Sequence, residues 1–490
     1  MGEYNLIMNK YILIILSSLL FVIPFLNFNF FFLSWFCFIG ILYLIENKNG
    51  SPIKIGILFG ILSTFFGLYW ITWTINNLTG ASFLSSFLVH FSYSFYESIF
   101  YVIVFSVLGW VISKNNSKVY KYGLFIFFYI FLENLFPRVF PYKLGNTQIL
   151  FKELSQLISY AGVNILTIFV LVINIAIYEL IFKKNIRFFS IVLSIFFVIF
   201  FSGKSMVHNH SKIDTDSNII SVAVVQPNLN LNNLIDINNA INKNTYLTIW
   251  PEASLDRLKI IDKRDVSIFK ENFLKKFEPR SKFILFGTIY QTNEGYHNAA
   301  VLIDQKVNII DKSFKNKLMI FGEYYPFNSV ISKIIPIYDS FVTLKRGEIR
   351  PLTLNQKGEI GVIICYEDLF EMNSIKLSED GAGILINITN DRWYGDSLAS
   401  YQHLMLSIPR AIENRKYLIR SANNGISAII NPAGTVMNQI GPNEKGLLNE
   451  KVALLKTKSF YTRYYKPVNY LYHLIFLIFF IIFLHKFRNS

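Results

Sequence analysis

The chain is poor in charge and nearly without cysteine. Only 16% of its 490 residues are charged, where a soluble domain carries roughly 25%. The deficit is uneven. Residues 1 to about 203 are nearly continuous apolar blocks, the middle is ordinary globular sequence, and the last stretch is apolar again. That pattern excludes a wholly soluble enzyme and describes a polytopic membrane protein with a large soluble insert. The two cysteines are Cys37 and Cys365. Cys37 falls inside an apolar block, so no disulfide framework is expected. Acidic residues are also scarce, 32 against 47 Lys and Arg, for a formal net charge of +15. Many of those cations sit in short loops between apolar blocks, where they orient helices, so no nucleic-acid partner is expected.

What is abundant is apolar run. Eight spans are expected, at about residues 11–25, 28–45, 55–75, 83–112, 122–135, 157–182, 188–202 and 468–484. The first block lacks a small-x-small cleavage site before the next apolar block and is read as retained. One set of loops carries Lys48 and Lys54, then Lys114, Lys118 and Lys121, then Lys183, Lys184 and Arg187, and the tail carries Lys486 and Arg488. The alternate loops around Asn27 and Asn76 carry no Lys or Arg. The loop from Glu133 to Glu153 breaks the pattern with Arg138, Lys143 and Lys152. The bias puts both termini in the cytoplasm and the insert outside. Glu97, among Tyr69, Trp70, Trp73, Tyr93 and Tyr96, is an ionisable group at membrane depth, and such groups are costly. It serves either packing or function.

The insert, from about 218 to 456, alternates β-rich runs with helical stretches. Strands are expected at 219–225, 246–250, 282–287, 297–303, 361–365, 383–388 and 426–431, and helices at 267–277 and 400–415. The Asn-rich stretch 228–244 reads as a loop or distorted helix. Interleaved strands and helices imply a layered α/β domain. The domain reading is 1–203 helical, 204–466 α/β and 467–490 a last helix and tail.

Three residues in this insert could carry chemistry together. Cys365 ends the apolar run Gly361 to Ile364, where a rigid strand would hold a thiol toward a substrate. The plain alternative is a small buried hydrophobe. A thiol has a reference pKa near ~8.5, so attack at neutral pH needs a base or a positive neighbour. Glu252, after the 246–250 run, is a candidate base. Lys315 would steady the oxyanion. A Cys365–His403 pair is the second choice.

The ordered set Trp250-Pro251-Glu252, Lys315 with Phe321-Gly322-Glu323, and Ile364-Cys365-Tyr366-Glu367 resembles the nitrilase (carbon–nitrogen hydrolase) superfamily. Asn390-Asp391-Arg392-Trp393-Tyr394-Gly395, Gln402-His403, Arg410 to Asn414 and Arg420 to Ser427 resemble its membrane-embedded branch, the apolipoprotein N-acyltransferases. The resemblance spans nearly the whole chain. It implies a helical membrane domain of about eight spans joined to an extracytoplasmic αββα sandwich. Glu252 would be the general base, Lys315 the oxyanion stabiliser and Cys365 the nucleophile. Glu323 and Glu367 would be accessory carboxylates, and Tyr366 and Trp393 would shape the acyl pocket. His403, Arg410, Arg420 and Asn424 read as scaffold.

The implied reaction is a ping-pong acyl transfer without metal or cofactor. A phosphatidylethanolamine-like phospholipid would acylate Cys365, and the α-amine of a diacylglyceryl-cysteine lipoprotein would accept the acyl group. The place would be the bacterial inner membrane, with the catalytic domain on the periplasmic face. The apolar 324–344 segment reads as a lid on the bilayer or as a buried loop. Rival readings are a membrane-anchored amidase for a small amide and a non-catalytic scaffold.

Overall fold

The computed structural model describes residues 2–114, 117–212, 218–255, 260–320, 322–324 and 343–488. Phe321 and residues 325–342, most of the expected lid segment, lie outside that set. The chain divides into two compact units, Met1–His208 with Tyr464–Ser490, and Asn209–Arg463.

The first unit is helical. Among the described residues, five helices are long and apolar enough to cross a membrane: Phe28–Glu46, Phe83–Lys114, Asn164–Lys183, Ile186–His210 and Tyr465–His485. Pro52–Gly67 and Ile71–Thr79 add a sixth if they form one span, although they meet at a 60° bend. The apolar stretch expected at 157–182 does not run as one helix. Lys152–Ser155 and Ile158–Ala161 are single turns, Gly162 ends the second at φ +67°, and the long helix starts at Asn164. A left-handed φ at a helix end is where glycine costs least.

Several charged side chains in this unit are paired. Glu46 meets Lys121, Lys183 (3.2 Å) and the hydroxyls of Tyr122 and Tyr178 (3.0 Å each). Glu179 meets Lys118 and accepts from Tyr122 at 2.8 Å. These contacts draw the end of Ile39–Glu46, the start of Lys118–Leu135 and the end of Asn164–Lys183 to one place. The Lys-bearing loops at 48, 118–121 and 183 therefore share one end of the unit. Two of the three cations of the exceptional loop, Arg138 and Lys143, have partners inside the unit. Arg138 is buried against Glu97 at 3.1 Å and over the rings of Phe100 and Tyr142, and Lys143 donates to Asn164 at 2.9 Å. Both cations are consumed inside the protein. Glu97 thus has a structural partner, as an ionisable group at that depth requires.

Among the described residues, the second unit has thirteen strands: β1 (Asn218–Gln226), β2 (Leu247–Ile249), β3 (Ile260–Ile261), β4 (Phe283–Thr292), β5 (Gly295–Asp304), β6 (Ile309–Phe314), β7 (Leu352–Thr353), β8 (Glu359–Ile364), β9 (Ala382–Thr389), β10 (Leu418–Ala422), β11 (Ser427–Ile430), β12 (Val436–Ile440) and β13 (Gly446–Leu454). One sheet runs β13-β1-β2-β4-β5-β6, with β3 beside β4, and the other runs β12-β11-β10-β9-β8-β7. Alternation along the strands decides the layering. Val222, Val224, Leu247, Ile249 and Leu285 of the first sheet share a core with Ile360, Val362, Ile364, Ile384, Ile386 and Ile419 of the second. The intervening Ala223, Val225, Ile284 and Phe286 pack outward on Phe269 and Phe273 of helix Asp262–Leu274. On the far side, a Cβ added at Gly361 would lie 3.0 Å from Leu377 of helix Glu371–Glu379, so that helix sits tight on the second sheet. The order is helix, sheet, sheet, helix. Fully burying each such Ile or Leu contributes roughly 1.5–3 kcal/mol, so this shared core dominates the unit's stability.

The Asn-rich stretch forms a regular helix, Leu231–Ala240, because Asn230 caps it, accepting from the amides of Asn232 and Asn233 at 2.8 and 3.4 Å. The helix expected at 400–415 is two, Ala399–Ser407 and Pro409–Asn414, since Pro409 starts a new first turn.

Candidate active site

The site forms at one end of the central strands of both sheets. Parallel pairing puts Ile249, the last residue of β2, level with Val224 of β1 and Leu285 of β4, and β4 runs on past it to Thr292. Glu252 follows β2 directly, and Gly287 of β4 lies under it. A Cβ at Gly287 would fall 2.5 Å from the Glu252 Cα, so only glycine lets the backbone come this close. The next residue, Ala253, takes φ +57°, a conformation that costs a non-glycine residue energy. Lys315 follows β6, and its backbone is held by Asn298 (N to O, 2.8 Å) and by Gly347, whose amide donates to the Lys315 carbonyl at 2.9 Å. Cys365 follows β8 and opens the tight turn Cys365–Leu369 at φ +53°.

These elements bring Glu252, Lys315 and Glu323 into contact. The Lys315 Nζ lies 2.9 Å from Glu323 Oε1 and 3.5 Å from Glu252 Oε1. Asn298 joins the two carboxylates, its Nδ2 donating to Oε1 of each at 2.7 Å. Glu252 Oε2 accepts the Asn390 amide at 2.9 Å, and the Asn423 side chain donates to the Glu252 carbonyl. Glu323 Oε2 accepts the Met319 amide at 2.8 Å. Burial alone would depress the Lys315 ammonium. Glu323 and Glu252 outweigh it and hold the group well above the ordinary lysine range, so it stays charged.

The Cys365 thiol, half-buried, feels both charges. Burial pushes its pKa up, the Glu252 carboxylate adds to that, and Lys315 opposes it. The sulfur is therefore a thiol at rest, and its proton must leave as it attacks. Among the carboxylates, Glu252 acts on the thiol more strongly than Asp391.

Glu367 does not touch Lys315. Its Oε1 accepts the amides of Asn316 (2.7 Å) and Lys317 (2.9 Å), and its Oε2 accepts that of Ile364 (2.9 Å). It ties the lysine loop to the strand that carries Cys365. Burial raises its pKa to about 7 against those three donors. Tyr366 is buried and packs edge-on against Phe370. Trp393 is 41% exposed, which excludes plain core packing for it. Its neighbour Tyr394 is the buried ring.

His403 has both ring nitrogens engaged, Nε2 with Asp368 at 2.9 Å and Nδ1 with Asp391 at 3.1 Å. It is not free to serve as a base for Cys365. Arg420 completes this buried cluster, reaching Asp368 at 2.7 Å and Asp391 at 3.1 Å. Arg410 is spent on Glu413 at 2.7 Å, and the Asn424 amide on Asn443 at 3.3 Å. A cavity of about 530 Å³ opens beside Ala253 and Asn390, with Leu229, Leu231 and Leu255 along its wall and Arg392 at its edge. Such a mixed wall suits an amphiphilic group. Asn298, unmarked in the sequence, sits mid-strand. Its only signal was a polar side chain inside an apolar run.

Two family models match the chain. The carbon-nitrogen hydrolase model matches residues 222–460, and the apolipoprotein N-acyltransferase N-terminal domain model matches residues 17–176. Several relatives align over nearly full length. An apolipoprotein N-acyltransferase of Wigglesworthia glossinidia brevipalpis is 26% identical over 88% of this chain and 89% of its own. One from Rickettsia typhi is 27% identical over 90% and 92%, and one from Haemophilus influenzae 26% over 93% and 92%. Among solved structures, a carbon-nitrogen hydrolase from Helicobacter pylori G27 aligns with 51% of this chain and 94% of its own at 14% identity and a TM-score of 0.37.

Proposed function

The chain belongs to the apolipoprotein N-acyltransferase family, and from that premise we propose a two-step acyl transfer between membrane lipids. The donor is a phospholipid of the phosphatidylethanolamine type. The acceptor is the N-terminal α-amine of a diacylglyceryl-cysteine lipoprotein. Cys365 attacks the donor ester as its proton passes to Glu252, and Lys315 faces the negative oxygen of the tetrahedral intermediate. Collapse releases the lysophospholipid and leaves a thioester. Glu252 returns its proton to the departing alkoxide. In the second half the acceptor amine attacks the thioester, Glu252 takes a proton from nitrogen, and the thiolate leaves.

The observation that carries this reading is the contact of Lys315 with Glu252 at 3.5 Å, beside a thiol that burial keeps protonated. A protonated nucleophile needs a base and a fixed cation, and in this reading Glu252 and Lys315, which act on the thiol's charge balance, fill those roles. Glu323 and Asn298 act as the braces of that pair. Glu367 sets the lysine loop against the cysteine turn, and Trp393 and Tyr366 border the acyl path. The helical unit is read as eight spans, with both termini cytoplasmic and the α/β unit on the periplasmic face of the inner membrane. Support for that orientation comes from the Lys-bearing ends gathered about Glu46 and Glu179.

Incubation with acyl-labelled phospholipid tests the chemistry. The label is expected on Cys365 and absent from Cys365→Ala. Label on another residue overturns the assignment.

A further inference from the structure

β8 and β9 are parallel neighbours with Ile364 opposite Ile388. One residue further on, Thr389 therefore stands beside Cys365 at the same sheet end. Thr389 is fully buried. Its hydroxyl donates to Asp391 Oδ1 at 3.0 Å and is also a hydrogen-bond partner of the Cys365 thiol. A hydroxyl has one proton and two lone pairs, so it can donate to only one of these at a time.

Asp391 has other partners besides that proton. Its Oδ1 is met by His403 Nδ1 at 3.1 Å and its Oδ2 by Arg420 Nη2 at 3.1 Å. Arg420 and His403, with Thr389 adding to them, outweigh burial and hold the carboxylate well below its usual range, and Arg420 Nη2 also lies 2.8 Å from His403 Nδ1. Arg420 also reaches toward the cysteine by another route. Its Nη1 donates to Asn387 Oδ1 at 2.7 Å, and Asn387 Nδ2 donates to the carbonyls of Cys365 (3.1 Å) and Ile363 (3.3 Å). The same guanidinium thus braces the left-handed turn at Cys365 and fixes the carboxylate next to Thr389.

We propose that Thr389 is a catalytic hydroxyl of the cysteine, which turns its donated hydrogen bond from Asp391 to sulfur whenever the thiolate forms. With the thiol protonated, S–H donates to the Thr389 oxygen and Thr389 donates to Asp391. As the sulfur proton leaves for Glu252, the hydroxyl rotates and its O–H points at the thiolate. No covalent bond changes at Thr389. The same turn serves the second half-reaction, when sulfur is the leaving group. Asp368, His403 and Arg420 act through Asp391, which they keep satisfied in either state, and are positioning residues. This inference rests on the reading of Cys365 as the nucleophile.

The test is the pH profile of Cys365 alkylation by iodoacetamide in the full chain in detergent, with the adduct mapped by mass spectrometry to separate Cys365 from Cys37. The groups that face the sulfur are Glu252, Lys315, Tyr366, Asp391, Tyr394 and Arg420, and all are unchanged in the variants. Thr389→Val should slow alkylation roughly 10- to 100-fold at a given pH and move the profile to higher pH, the worth of a hydrogen bond to a charged group. Thr389→Ser should keep the wild-type profile. Thr389→Ala against Thr389→Ser repeats the comparison should valine fail to fold. Equal profiles for the Ser variant and either hydroxyl-free variant overturn the proposal. Acyl label on a residue other than Cys365 would overturn the nucleophile instead, and alkylation would still report whether Thr389 serves this thiol.

Discussion

Glu367 accepts the main-chain amide of Asn316 at 2.7 Å. With the other oxygen on the Ile364 amide at 2.9 Å, one carboxylate joins the lysine loop to the cysteine strand. Two chain segments fifty residues apart are tied together by one side chain.

Glu367→Gln should disturb that tie. The amide offers one acceptor oxygen where three backbone donors now meet a carboxylate. Activity with a fluorescent phospholipid should fall at least about tenfold, since a lost bond to a charged acceptor is worth roughly 1.5–3 kcal/mol. The variant also reports on pH. The Glu367 pKa rises to about 7 in the folded protein from 4.5. The folded state thus binds more protons than the unfolded between those values, and stability falls as pH rises through that window. The melting temperature of wild type relative to Glu367→Gln should decline from about pH 4.5 to about pH 7 and be flat above. A difference that grows with pH contradicts this.

Lys315 is a buried cation between two carboxylates. Lys315→Met should leave Glu252 and Glu323 crowded and unpaired, lowering stability by about 3–5 kcal/mol. Acyl-enzyme formation should fall about 10²- to 10³-fold beyond any loss of folded protein. Denaturant melts in parallel with acyl trapping separate the two effects. Full trapping by a folded Lys315→Met protein would remove the lysine from the mechanism.

Asn298→Ala should spare the fold more than the rate. It removes the donor that joins Glu252 to Glu323, each at 2.7 Å, and frees the base to wander. The expected result is a fall in kcat of about tenfold or more with KM little changed, because the loss lies in positioning rather than substrate contact. A purely raised KM would assign Asn298 to binding instead.

The sequence singles out candidate residues at strand ends. Glu252 and Cys365 each stand where an apolar run stops, and a polar group there has few structural uses, whereas Lys315 follows Asp311-Lys312-Ser313-Phe314 and is marked by its string rather than by an apolar run. Residues inside strands were not legible in this way. Asn298 and Thr389 are polar side chains within buried β5 and β9, and nothing local separates a brace for a carboxylate from an ordinary satisfied polar group. β13 escaped for another reason. Its Asn449, Glu450 and Lys451 interrupt the apolar pattern, and it pairs with β1 along the sheet's edge, where one face tolerates charge. In the helical unit, hydropathy located the apolar blocks but not their breaks at Gly162 and after Gly67, which depend on backbone conformation rather than polarity.

Glu97 illustrates the same limit from the other side. Its membrane depth suggested a special role, and its partner Arg138 lies at 3.1 Å. Glu97→Gln should therefore act on stability, costing about 3–5 kcal/mol through the unpaired guanidinium. Replacing both partners by apolar residues should recover part of that. Thermal melts of single and double variants in detergent decide it. A Glu97→Gln protein of wild-type stability with no activity would return Glu97 to the chemistry.

The most direct measurement is mass spectrometry of a lipoprotein N-terminus in cells that depend on this chain for its maturation. With the wild-type chain the terminal cysteine should carry a third acyl group, on its α-amine. With Cys365→Ala, Glu252→Gln or Lys315→Met at matched expression the amine should be free. An N-acylated terminus in the Cys365→Ala cells would contradict the account.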